Sequence, residues 1–375
     1  TGTNGKTTCT QLIAQTLDAP EKRCAVIGTL GNGFVGALDE TINTTPDVLT
    51  VHALMAKYLS AGANCICIEV SSHALDQGRV NGVAFDIAVL TNFSRDHLDY
   101  HGDMESYAAA KKKLFALPGI KVAVINREDD LGKQLLSAID ESIRVVSFGL
   151  SEGDYFASSI VTSINGLQID AVTPAGAISF STRLFGQFNA ANMLTVLAVV
   201  AEHGLSIDEI AKRFQTLIPI EGRMERFGGR DQLPLVVVDY AHTPDALEKV
   251  LQALREHTTR ALWCIFGCGG DRDRGKRSQM GHIAEQLADH VILTDDNPRH
   301  EDPAQITNDI QSGMQSSARV VHLRAEAIRD VISEAAEGDI VLLAGKGHED
   351  YQQIGSKKIH FSDRETVTRI LGEAA

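Results

Sequence analysis

The chain has 375 residues, of which 43% are hydrophobic and 22% are charged, and these proportions are typical of a soluble globular protein with two domains. No apolar run approaches the length of a membrane span, and no signal peptide is visible. The formal net charge of −14 argues against nucleic acid or an anionic membrane surface as the main partner. An anionic substrate stays open, because a few lysines and arginines can hold one locally.

The six cysteines indicate a reducing compartment. None of them has the CxxC spacing of a zinc site, and a chain of this length does not need disulfides to hold its core together. Most of them lie in apolar segments typical of strands, so we predict buried thiols in a cytoplasmic protein. They are Cys9, Cys24, Cys65, Cys67, Cys264 and Cys268.

The chain opens with Thr-Gly-Thr-Asn-Gly-Lys-Thr-Thr, a pattern typical of a phosphate-binding loop. Gly2 and Gly5 allow a tight turn that brings backbone N–H groups close to a phosphate chain. Lys6 places a positive charge on the outer phosphates, and the Thr7 hydroxyl can bind Mg²⁺. A chance Gly/Thr turn is the alternative, but a helical pattern follows at once and its N-terminus favours anions. The sequence therefore predicts a nucleotide site here.

The strand that normally feeds such a loop has no counterpart before Thr1. We therefore expect the chain to be a piece of a longer protein.

The first part of the chain, to about residue 220, alternates helices with buried strands, which predicts a parallel sheet covered by helices on both faces. The predicted helices are Lys6–Leu17, Val48–Ser60, Met104–Phe115, Ala190–His203 and Ser206–Leu217. The predicted strands are Cys24–Ile27, Cys65–Val70, Phe85–Leu90, Val122–Asn126 and Val145–Phe148. Short alternating segments at Leu167–Val172 and Ala177–Leu184 predict an antiparallel flap.

Pro219 and Gly222 mark the predicted domain boundary, which gives domains over 1–220 and 221–375. The second domain restarts the alternation, with a helix expected after each strand, and predicts a Rossmann-like doubly wound sheet. A Gly-Cys-Gly-Gly run at 267–270 does not fit the GxGxxG register, which argues against NAD binding. The predicted strands are Leu235–Asp239, Ala261–Phe266, His290–Thr294, Arg319–His322 and Asp339–Ala344.

Polar residues follow two strands of the first domain, where functional groups of open α/β sheets gather. Glu69 suits a second Mg²⁺ ligand beside Thr7, with helix capping as the alternative. The segment 91–101 is dense in histidine and aspartate, and it either holds metal or phosphate or is a solvated loop. A run of three lysines is usually a solvated helix face. Three consecutive residues cannot share one face, however, so Lys111 can instead turn inward.

In the second domain, charged loops follow three strands, at 270–277, 295–299 and 345–349, and predict a small-molecule site. Arg223 lies at the domain junction, where a guanidinium can reach nucleotide phosphates when the domains close. Asp239 begins an Asp-Tyr-Ala-His-Thr-Pro run at the end of another strand.

With these residues assembled, the chain resembles the Mur ligases, ATP-dependent enzymes that add amino acids to the peptidoglycan precursor. The resemblance covers essentially all 375 residues. The Gly-Thr-Asn-Gly-Lys-Thr-Thr run is typical of the superfamily, the run from Asp239 narrows it, and Asp-Asn-Pro-Arg at 296–299 is similar to the diaminopimelate-adding branch. The resemblance implies an α/β fold in which a P-loop central ATPase-like domain with a parallel sheet precedes a C-terminal Rossmann-like α/β domain.

The activity implied by the resemblance is addition of meso-2,6-diaminopimelate to UDP-N-acetylmuramoyl-L-alanyl-D-glutamate. ATP phosphorylates the acceptor carboxylate, and the incoming amine then attacks the acyl phosphate and displaces phosphate. The implied cofactors are Mg²⁺, ATP as a substrate and a CO₂-derived carbamate on Lys111. We expect a monomer in the cytoplasm, without nucleic-acid partners. The family's N-terminal domain, which binds the uridine end of the substrate, has no counterpart here.

The resemblance also implies roles for individual residues. Lys6, Glu69, His97 and Lys111 are the expected catalytic residues, and the metal ligands are Thr7, Glu69, His97 and carbamylated Lys111. ATP is expected to contact Gly2, Thr3, Asn4, Gly5, Lys6, Thr7, Thr8, Asn189, Asn192, Arg223 and Asp239. The muramoyl dipeptide is expected to contact Asn43, Thr44, Thr45, Ser71, Gln77 and Arg79. Diaminopimelate is expected to contact Arg272, Asp296, Asn297, Pro298, Arg299, Gly345 and Glu349.

Three rival interpretations stay open from the sequence. A lysine-adding Mur ligase is the closest, and a folylpolyglutamate synthase shares the P-loop but gives no reason for the Asp-Asn-Pro-Arg loop. The third interpretation, from another functional class, is a P-loop phosphotransferase or a nucleotide-driven switch. Release of ADP and phosphate that depends on an amino acid separates the ligases from both.

Overall fold

The computed structural model describes residues 1–163, 165–218, 220–230 and 232–372, so that Pro219, used above to mark the boundary, lies outside the described residues. The chain forms two compact units. The first consists of Thr1–Val161, Leu167–Thr182 and Gln187–Ile218, and the second of Thr162–Gly166, Arg183–Gly186 and Pro219–Ala375. Within the described ranges, no helix has the length and apolar character needed to cross a membrane.

The first unit is built from helices that alternate with strands. Its helices are α1 (Lys6–Leu17), α2 (Val48–Ser60), α3 (Ser72–Asp76), α4 (Leu98–His101), α5 (Met104–Lys112), α6 (Asp130–Leu136), α7 (Gln187–Glu202) and α8 (Ile207–Phe214), with a 3₁₀ helix over Lys113–Ala116. Its strands are β1 (Arg23–Gly28), β2 (Gly31–Phe34), β3 (Ala37–Asp39), β4 (Ala63–Ile68), β5 (Ile87–Leu90), β6 (Val122–Asn126), β7 (Arg144–Gly149), β8 (Tyr155–Ser163), β9 (Gly166–Thr173) and β10 (Gly176–Thr182).

These strands form two sheets, whereas the sequence suggested one parallel sheet. The first has the order β3-β2-β1-β4, and the second has the order β10-β9-β8-β7-β6-β5. The β1/β4 pair and the β5/β6, β6/β7 and β7/β8 pairs are parallel, as predicted for the core. The predicted antiparallel flap is confirmed as the β9/β10 hairpin. β4 and β5 therefore belong to different sheets, and both line a cavity of about 590 Å³.

Two helices of the first unit, α1 and α2, have local causes that the sequence shows. α1 starts directly after Gly5 and packs on β1, β4 and α7 through its buried apolar residues. α2 starts after Asp47, whose side chain accepts hydrogen bonds from the N–H groups of Leu49 and Thr50 and so caps the first turn. Both helices have the bounds that the sequence predicted.

The second unit restarts the pattern around its own sheet. Its helices are α9 (Pro244–Arg255), α10 (Gly275–Leu287), α11 (Pro303–Gln311), α12 (Arg324–Glu334) and α13 (Asp363–Leu371). Its strands are β11 (Glu225–Gly228), β12 (Leu235–Asp239), β13 (Leu262–Phe266), β14 (His290–Leu293), β15 (Arg319–Val320), β16 (Ile340–Ala344), β17 (Tyr351–Ile354) and β18 (Lys357–His360). The main sheet has the order β11-β12-β16-β13-β14-β15, parallel throughout except for the antiparallel edge strand β11.

This sheet is covered on both faces, as a doubly wound fold requires. Alternate residues of β12 point in opposite directions, so that Val237 joins a core with α9, α10 and α11 while Val236 and Val238 join a core with α12 and α13. The expectation of a helix after each strand fails once, because the β17/β18 hairpin follows β16 before α13 begins.

Candidate active site

The phosphate-binding loop turns into α1 at Gly5, which has a positive φ of 82°. A Cβ atom there would lie 2.4 Å from Oδ1 of Asn192, so only glycine lets the loop approach α7 this closely. The Nδ2 atom of Asn192 donates a 2.9 Å hydrogen bond to Oδ1 of Asn189. The two asparagines expected at the nucleotide are therefore buried directly behind the loop.

The segment after β5 holds the other side of the loop. The N–H of Thr3 donates to the carbonyl of Asn92, and the N–H of Asn4 donates to Oδ1 of the same residue, both at 2.9 Å. The Thr91 hydroxyl donates to the carbonyl of Asn4 at 2.7 Å. Lys6 bends back over the loop, where its Nζ donates to the carbonyls of Gly2 and Thr3 at 2.9 and 2.8 Å. These contacts hold the loop in one conformation.

Glu69 follows β4 and its carboxylate is 1% exposed, held by hydroxyl and amide donors. Its Oε2 accepts hydrogen bonds from Thr7 Oγ1 at 2.8 Å and from Thr29 Oγ1 at 3.1 Å. Its Oε1 accepts one from the Thr29 N–H at 2.8 Å. The predicted proximity of Glu69 to Thr7 is therefore confirmed, and the helix that follows is capped by Ser71 instead.

Lys111 turns inward from α5, as the sequence allowed, and is 1% exposed. Its Nζ lies 4.4 Å from the centre of the Tyr107 ring. Burial, and after it the positive charge of Lys6, lowers the pKa of Lys111 to about 6. Its neighbours point outward, since Lys112 donates to Gln134 and Lys113 pairs with Asp76. Among the described residues no hydrogen bond or ion pair reaches the Lys111 amine.

A cavity of about 270 Å³ connects these groups with residues expected at the muramoyl dipeptide. It is lined by Lys6, Asn43, Thr44, Thr45, Ser71, Ser72, His73, Arg79, His97, Tyr107 and Lys111. Arg79 is fixed within it, because Nη1 donates to the carbonyl of Thr45 at 2.8 Å and Nε donates to Oε1 of Gln77 at 2.8 Å. The structure thus brings together most of the expected acceptor-side residues, with Gln77 bound to one of them.

His97 lies on the rim of this cavity in a left-handed conformation, with a φ of 53°. Its ring packs edge-on against His73 with 4.9 Å between the ring centres, and its Nε2 lies 3.4 Å from Asp96 Oδ2. His73 and Tyr107 were not singled out from the sequence. From the sequence, Tyr107 looks like an ordinary aromatic residue of the core. In the structure its hydroxyl lies 3.2 Å from Oγ1 of Thr3 and so contacts the loop.

In the second unit, the expected diaminopimelate residues meet at the carboxyl ends of strands β14 and β16, which lie on either side of β13 in the sheet. Asn297 Nδ2 donates to Glu349 Oε2 at 2.9 Å. Lys346 is fully buried between them, with Nζ 3.3 Å from Asn297 Oδ1 and 3.2 Å from Glu349 Oε2. Lys346 was missing from the predicted site residues, although it lies in the same charged loop. Asp296 and Pro298 are buried beside them, and Gly345 approaches Asp296 Oδ2 closely.

Arg299 is half-buried and has a positive φ of 51°. Its Nη1 donates to the carbonyl of Gly270 at 2.7 Å, and its N–H donates to the carbonyl of Gln353 at 3.0 Å. Within the described chain, Nε and Nη2 of Arg299 make no hydrogen bond or ion pair. A bland role for Arg299, suggested by the sequence, is a surface ion pair with Glu301 or Asp302. The pair with Glu301 is not formed, because that carboxylate pairs with Arg274 and Arg277.

Other expected residues of the second unit differ in their surroundings. The carboxylate of Asp302 caps α11, because it accepts a hydrogen bond from the N–H of Ala304. Arg272 is exposed. Asp239 accepts hydrogen bonds from the N–H groups of Met224 and Ala241, both at 2.8 Å, and burial raises its pKa.

Arg223 lies with its guanidinium 5.0 Å from the centre of the Tyr240 ring. Its Nε is buried and finds no hydrogen-bond acceptor among the residues that the structure describes. A buried donor without an acceptor is costly, which suits a residue that serves a ligand. Contact of Arg223 and Asp239 with a nucleotide stays a prediction.

Comparison with known families identifies both units. Residues 1–200 match the Mur ligase middle domain, and residues 222–347 match the Mur ligase, glutamate ligase domain. The chain belongs to the Mur ligase family. These two matches cover most of the chain and include the phosphate-binding loop, Glu69, Lys111 and the Asp-Asn-Pro-Arg loop.

Individual Mur ligases are similar over nearly the whole chain. It is 50% identical over 374 residues to the UDP-N-acetylmuramoyl-L-alanyl-D-glutamate–2,6-diaminopimelate ligase of Pseudomonas syringae pv. tomato, covering 99% of this chain and 77% of that protein. It is 51% identical over 375 residues to the protein of the same name from Pseudomonas aeruginosa, with the same coverage. A solved structure with this name aligns with a TM-score of 0.75 and 41% identity, over 99% of this chain and 77% of that one.

Proposed function

We propose that this Mur ligase adds meso-2,6-diaminopimelate to UDP-N-acetylmuramoyl-L-alanyl-D-glutamate, with ATP converted to ADP and phosphate, in peptidoglycan synthesis. The observation that carries the proposal is the 270 Å³ cavity, in which Lys6 of the phosphate-binding loop and the buried Lys111 line one space with Arg79 and Ser71. Activation of a carboxylate by ATP requires this neighbourhood, because the γ-phosphoryl group must reach the acceptor without crossing bulk water.

The reaction proceeds in two transfers. The D-glutamate carboxylate of the acceptor attacks the γ-phosphorus of ATP, which breaks the bond to the bridging oxygen and releases ADP. An amine of diaminopimelate then attacks the acyl phosphate, forms the amide and expels phosphate. Both transition states carry added negative charge, so positioned cations and backbone N–H groups are the main source of catalysis. Lys6 supplies the charge at the loop, and the N-terminus of α1 supplies oriented N–H groups.

The residues around Glu69 fit Mg²⁺, a cation that prefers oxygen ligands and substrate phosphates. Glu69 and Thr7 present oxygens 2.8 Å apart at the foot of the loop, and Thr29 orients the carboxylate from its other side. Bound there, Mg²⁺ would neutralise charge on the phosphates. Thr29 hydrogen-bonds the carboxylate and Oγ1 of Thr44 and is not itself a proposed ligand, which makes it a positioning residue.

Lys111 fits a carbamate. Its amine is buried, has a pKa lowered to about 6 and makes no hydrogen bond among the described residues. The neutral amine, which is the form that reacts with CO₂, therefore predominates at pH 7. A carbamate would give this position an anion with oxygen donors, and His97 lines the same cavity. The charge of nearby Lys6 contributes to the lowered pKa, because it disfavours a second positive charge on Lys111.

The acceptor side of the cavity is polar and preorganised. Thr45 Oγ1 donates to the carbonyl of Glu69 at 2.7 Å and accepts from the N–H of Ser71 at 3.1 Å. Arg79 is clamped between the carbonyl of Thr45 and the side chain of Gln77. A guanidinium held this way suits a carboxylate of the dipeptide, because its planar donors match the two oxygens. We assign the muramoyl-dipeptide site to these residues with Asn43 and Thr44.

The amino-acid site is assigned to the loops after β13, β14 and β16. Diaminopimelate carries a second amino-acid head, with a carboxylate and an ammonium, where lysine has only an amine. Arg299 offers Nε and Nη2 to a carboxylate, and Glu349 and Asp296 offer oxygens to an ammonium. Arg272 adds positive charge from the neighbouring exposed loop, and Asn297 joins the two loops.

The deciding experiment measures ADP, phosphate and the mass of the product with the purified protein. The acceptor UDP-N-acetylmuramoyl-L-alanyl-D-glutamate and ATP are combined with meso-diaminopimelate, with L-lysine, or with no amino acid. We expect phosphate release and an amide product only in the presence of both acceptor and diaminopimelate. Equal use of L-lysine would favour the lysine-adding branch. Phosphate release that ignores the amino acid would favour a phosphotransferase or a switch.

A second control addresses the folylpolyglutamate synthase alternative. A reduced folate with L-glutamate replaces the acceptor and diaminopimelate, and we expect no product. The monomeric state and the cytoplasmic location stay predictions.

A further inference from the structure

Three cysteine side chains meet on the first sheet of the first unit. Cys24 lies on β1, and Cys65 and Cys67 lie on the neighbouring parallel strand β4. Side chains two residues apart on a strand point to the same face, and Cys24 is the register partner of Cys65. The three sulfur atoms all lie within 4.8 Å of one another, and those of Cys24 and Cys67 are 3.8 Å apart.

We propose that Cys24, Cys65 and Cys67 form a binding site for a thiophilic d¹⁰ metal ion, with Zn²⁺ as its physiological occupant. Thiolates select such ions over Mg²⁺. Zn–S bonds of about 2.3 Å at tetrahedral angles place two sulfurs about 3.8 Å apart, which is the separation of the Cys24 and Cys67 sulfurs. The other sulfur separations are at most 4.8 Å, so the third sulfur needs to move inward by no more than about 1 Å.

The cluster also has access and room for a fourth ligand. Cys65 and Cys67 are half-buried, although buried thiols were expected there, and both line the 590 Å³ cavity between β4 and β5. His203, directly after α7, lines the same cavity. A zinc ion held by three sulfurs completes its shell with a water or an imidazole. The cavity supplies space for either.

The three sulfurs influence one another. The neighbouring Cys24 and Cys67 sulfurs lower the pKa of Cys65, whereas the pKa values of Cys24 and Cys67 are raised. The thiolate is the form that binds metal, so metal binding here releases protons. No other group of cysteine, histidine and acidic side chains in the described chain brings its ligand atoms this close together.

The test uses Cd²⁺, which replaces Zn²⁺ in thiolate sites and gives an ultraviolet sulfur-to-metal charge-transfer band. Titration of the reduced protein is expected to give a saturable band at one equivalent, which Zn²⁺ displaces and Mg²⁺ does not. The band reports sulfur ligands only, so metal bound at the histidines around the proposed active site does not contribute. Cys65→Ser and Cys67→Ser are each expected to lose the band and at least about tenfold in affinity.

The matched control is Cys264→Ala, which removes a buried thiol from β13 in the second unit and should leave the band unchanged. Zn²⁺ should also raise the melting temperature of the wild type and not that of Cys65→Ser, because a ligand stabilises only the state that binds it. Absence of the band in folded wild-type protein, or its survival in both serine variants, overturns the proposal.

A labelling experiment on the wild type covers the case in which a serine variant does not fold. Bound Zn²⁺ is expected to protect Cys65 and Cys67 from a thiol reagent at least about tenfold, with the modified positions read by mass spectrometry. Equal labelling with and without Zn²⁺ overturns the proposal. None of these readouts depends on ligase activity, so the metal site and the proposed function fail or stand separately.

Discussion

Thr7 Oγ1 donates a 2.8 Å hydrogen bond to Oε2 of Glu69, so the start of α1 and the end of β4 meet at a pair of oxygen atoms. The two residues are 62 positions apart in the chain. Both are buried, and among the residues that the structure describes the Glu69 carboxylate has further donors only from Thr29. A buried carboxylate that is hydrogen-bonded by neutral donors alone is poorly compensated, which suits the proposed cation site.

The first prediction follows from that pair. Glu69→Gln keeps the shape of the side chain and removes its charge, so we expect kcat/KM for ligation to fall by about 100-fold or more, because stabilisation of the phosphoryl charge is lost. The Mg²⁺ concentration for half-maximal rate should rise as well. Thr29→Val is the matched control, since it removes a hydrogen-bond donor to Glu69 without removing a proposed ligand. We expect its kcat/KM to fall by about tenfold or less. A Glu69→Gln enzyme with normal Mg²⁺ dependence would contradict the assignment.

Lys111 carries a prediction about activity. Lys111→Ala should abolish ligation, and an added small carboxylate such as acetate or formate should restore part of it, because it supplies the oxygen donors of the proposed carbamate. Lys112→Ala is the control, since Lys112 points outward and contacts Gln134, and it should keep near-normal activity. Mass spectrometry or NMR with ¹³CO₂ should detect one carbamate in the wild type and none in Lys111→Ala. A catalytically active protein without any carbamate would refute this role.

The lowered pKa of Lys111 also predicts how stability depends on pH. The pKa is about 6 in the folded protein, whereas lysine in an unfolded chain has a pKa of about 10.4. Between these values the unfolded chain binds a proton that the folded protein lacks, so this group makes the free energy of unfolding rise with pH from about 6 to about 10. Lys111→Met lacks this pH-dependent contribution to the free energy of unfolding. In CO₂-free buffer without Mg²⁺, its stability advantage over the wild type should therefore shrink as pH rises, and a constant difference would exclude a buried unmodified amine.

Some parts of the fold could be predicted because their causes are local. The bounds of α1 and α2 follow from Gly5 and from the Asp47 cap, both visible in sequence. β4 was predicted two residues too far along, over Cys65–Val70, because Val70 is apolar and buried but lies in the loop after the strand. Apolar character reports burial, and a buried loop and a buried strand look alike in this respect.

Other parts depend on long-range packing and could not be predicted. β8 was missed because only one of its nine side chains is fully buried and three of the nine are serines. The sequence predicted polar sites after the strands, and the structure brings polar side chains together in the cavity around Arg79 and at the Asn297–Glu349 contact. Their roles in binding stay predictions. The burial of Lys346 and the meeting of Cys24 with Cys67 need strand order, which composition and spacing do not contain.

The second unit offers a stability prediction in a buried ion pair. Arg324 donates from Nε and Nη2 to the two oxygens of Asp363, both at 2.7 Å, and neither side chain is exposed. Arg324→Met should lower the free energy of unfolding by about 3 to 5 kcal/mol, because it leaves an uncompensated buried carboxylate. Arg319→Met is the control, since Arg319 pairs with Asp330 and Glu334 at the surface and should cost about 1 kcal/mol or less. Urea unfolding of both variants measures the two losses of unfolding free energy. Equal losses would contradict the prediction.

The last prediction concerns the choice of amino acid. Arg299 is anchored to the carbonyl of Gly270 by Nη1, while its Nε and Nη2 have no partner within the described chain. Those two donors lie in one plane and match a carboxylate, so diaminopimelate satisfies them and lysine leaves them unpaired. We expect the wild type to prefer meso-diaminopimelate over L-lysine by about 1,000-fold or more in kcat/KM, and Arg299→Ala to lose most of that preference. Arg299→Lys should behave like the alanine variant, because an ammonium cannot form the planar pair.

Arg274→Ala is the matched control for Arg299→Ala. It removes a neighbouring exposed arginine that pairs with Glu301, and it should leave the ratio of kcat/KM for the two amino acids unchanged. Equal use of both amino acids by the wild type, or an unchanged ratio in Arg299→Ala, would show that this loop does not read the second carboxylate.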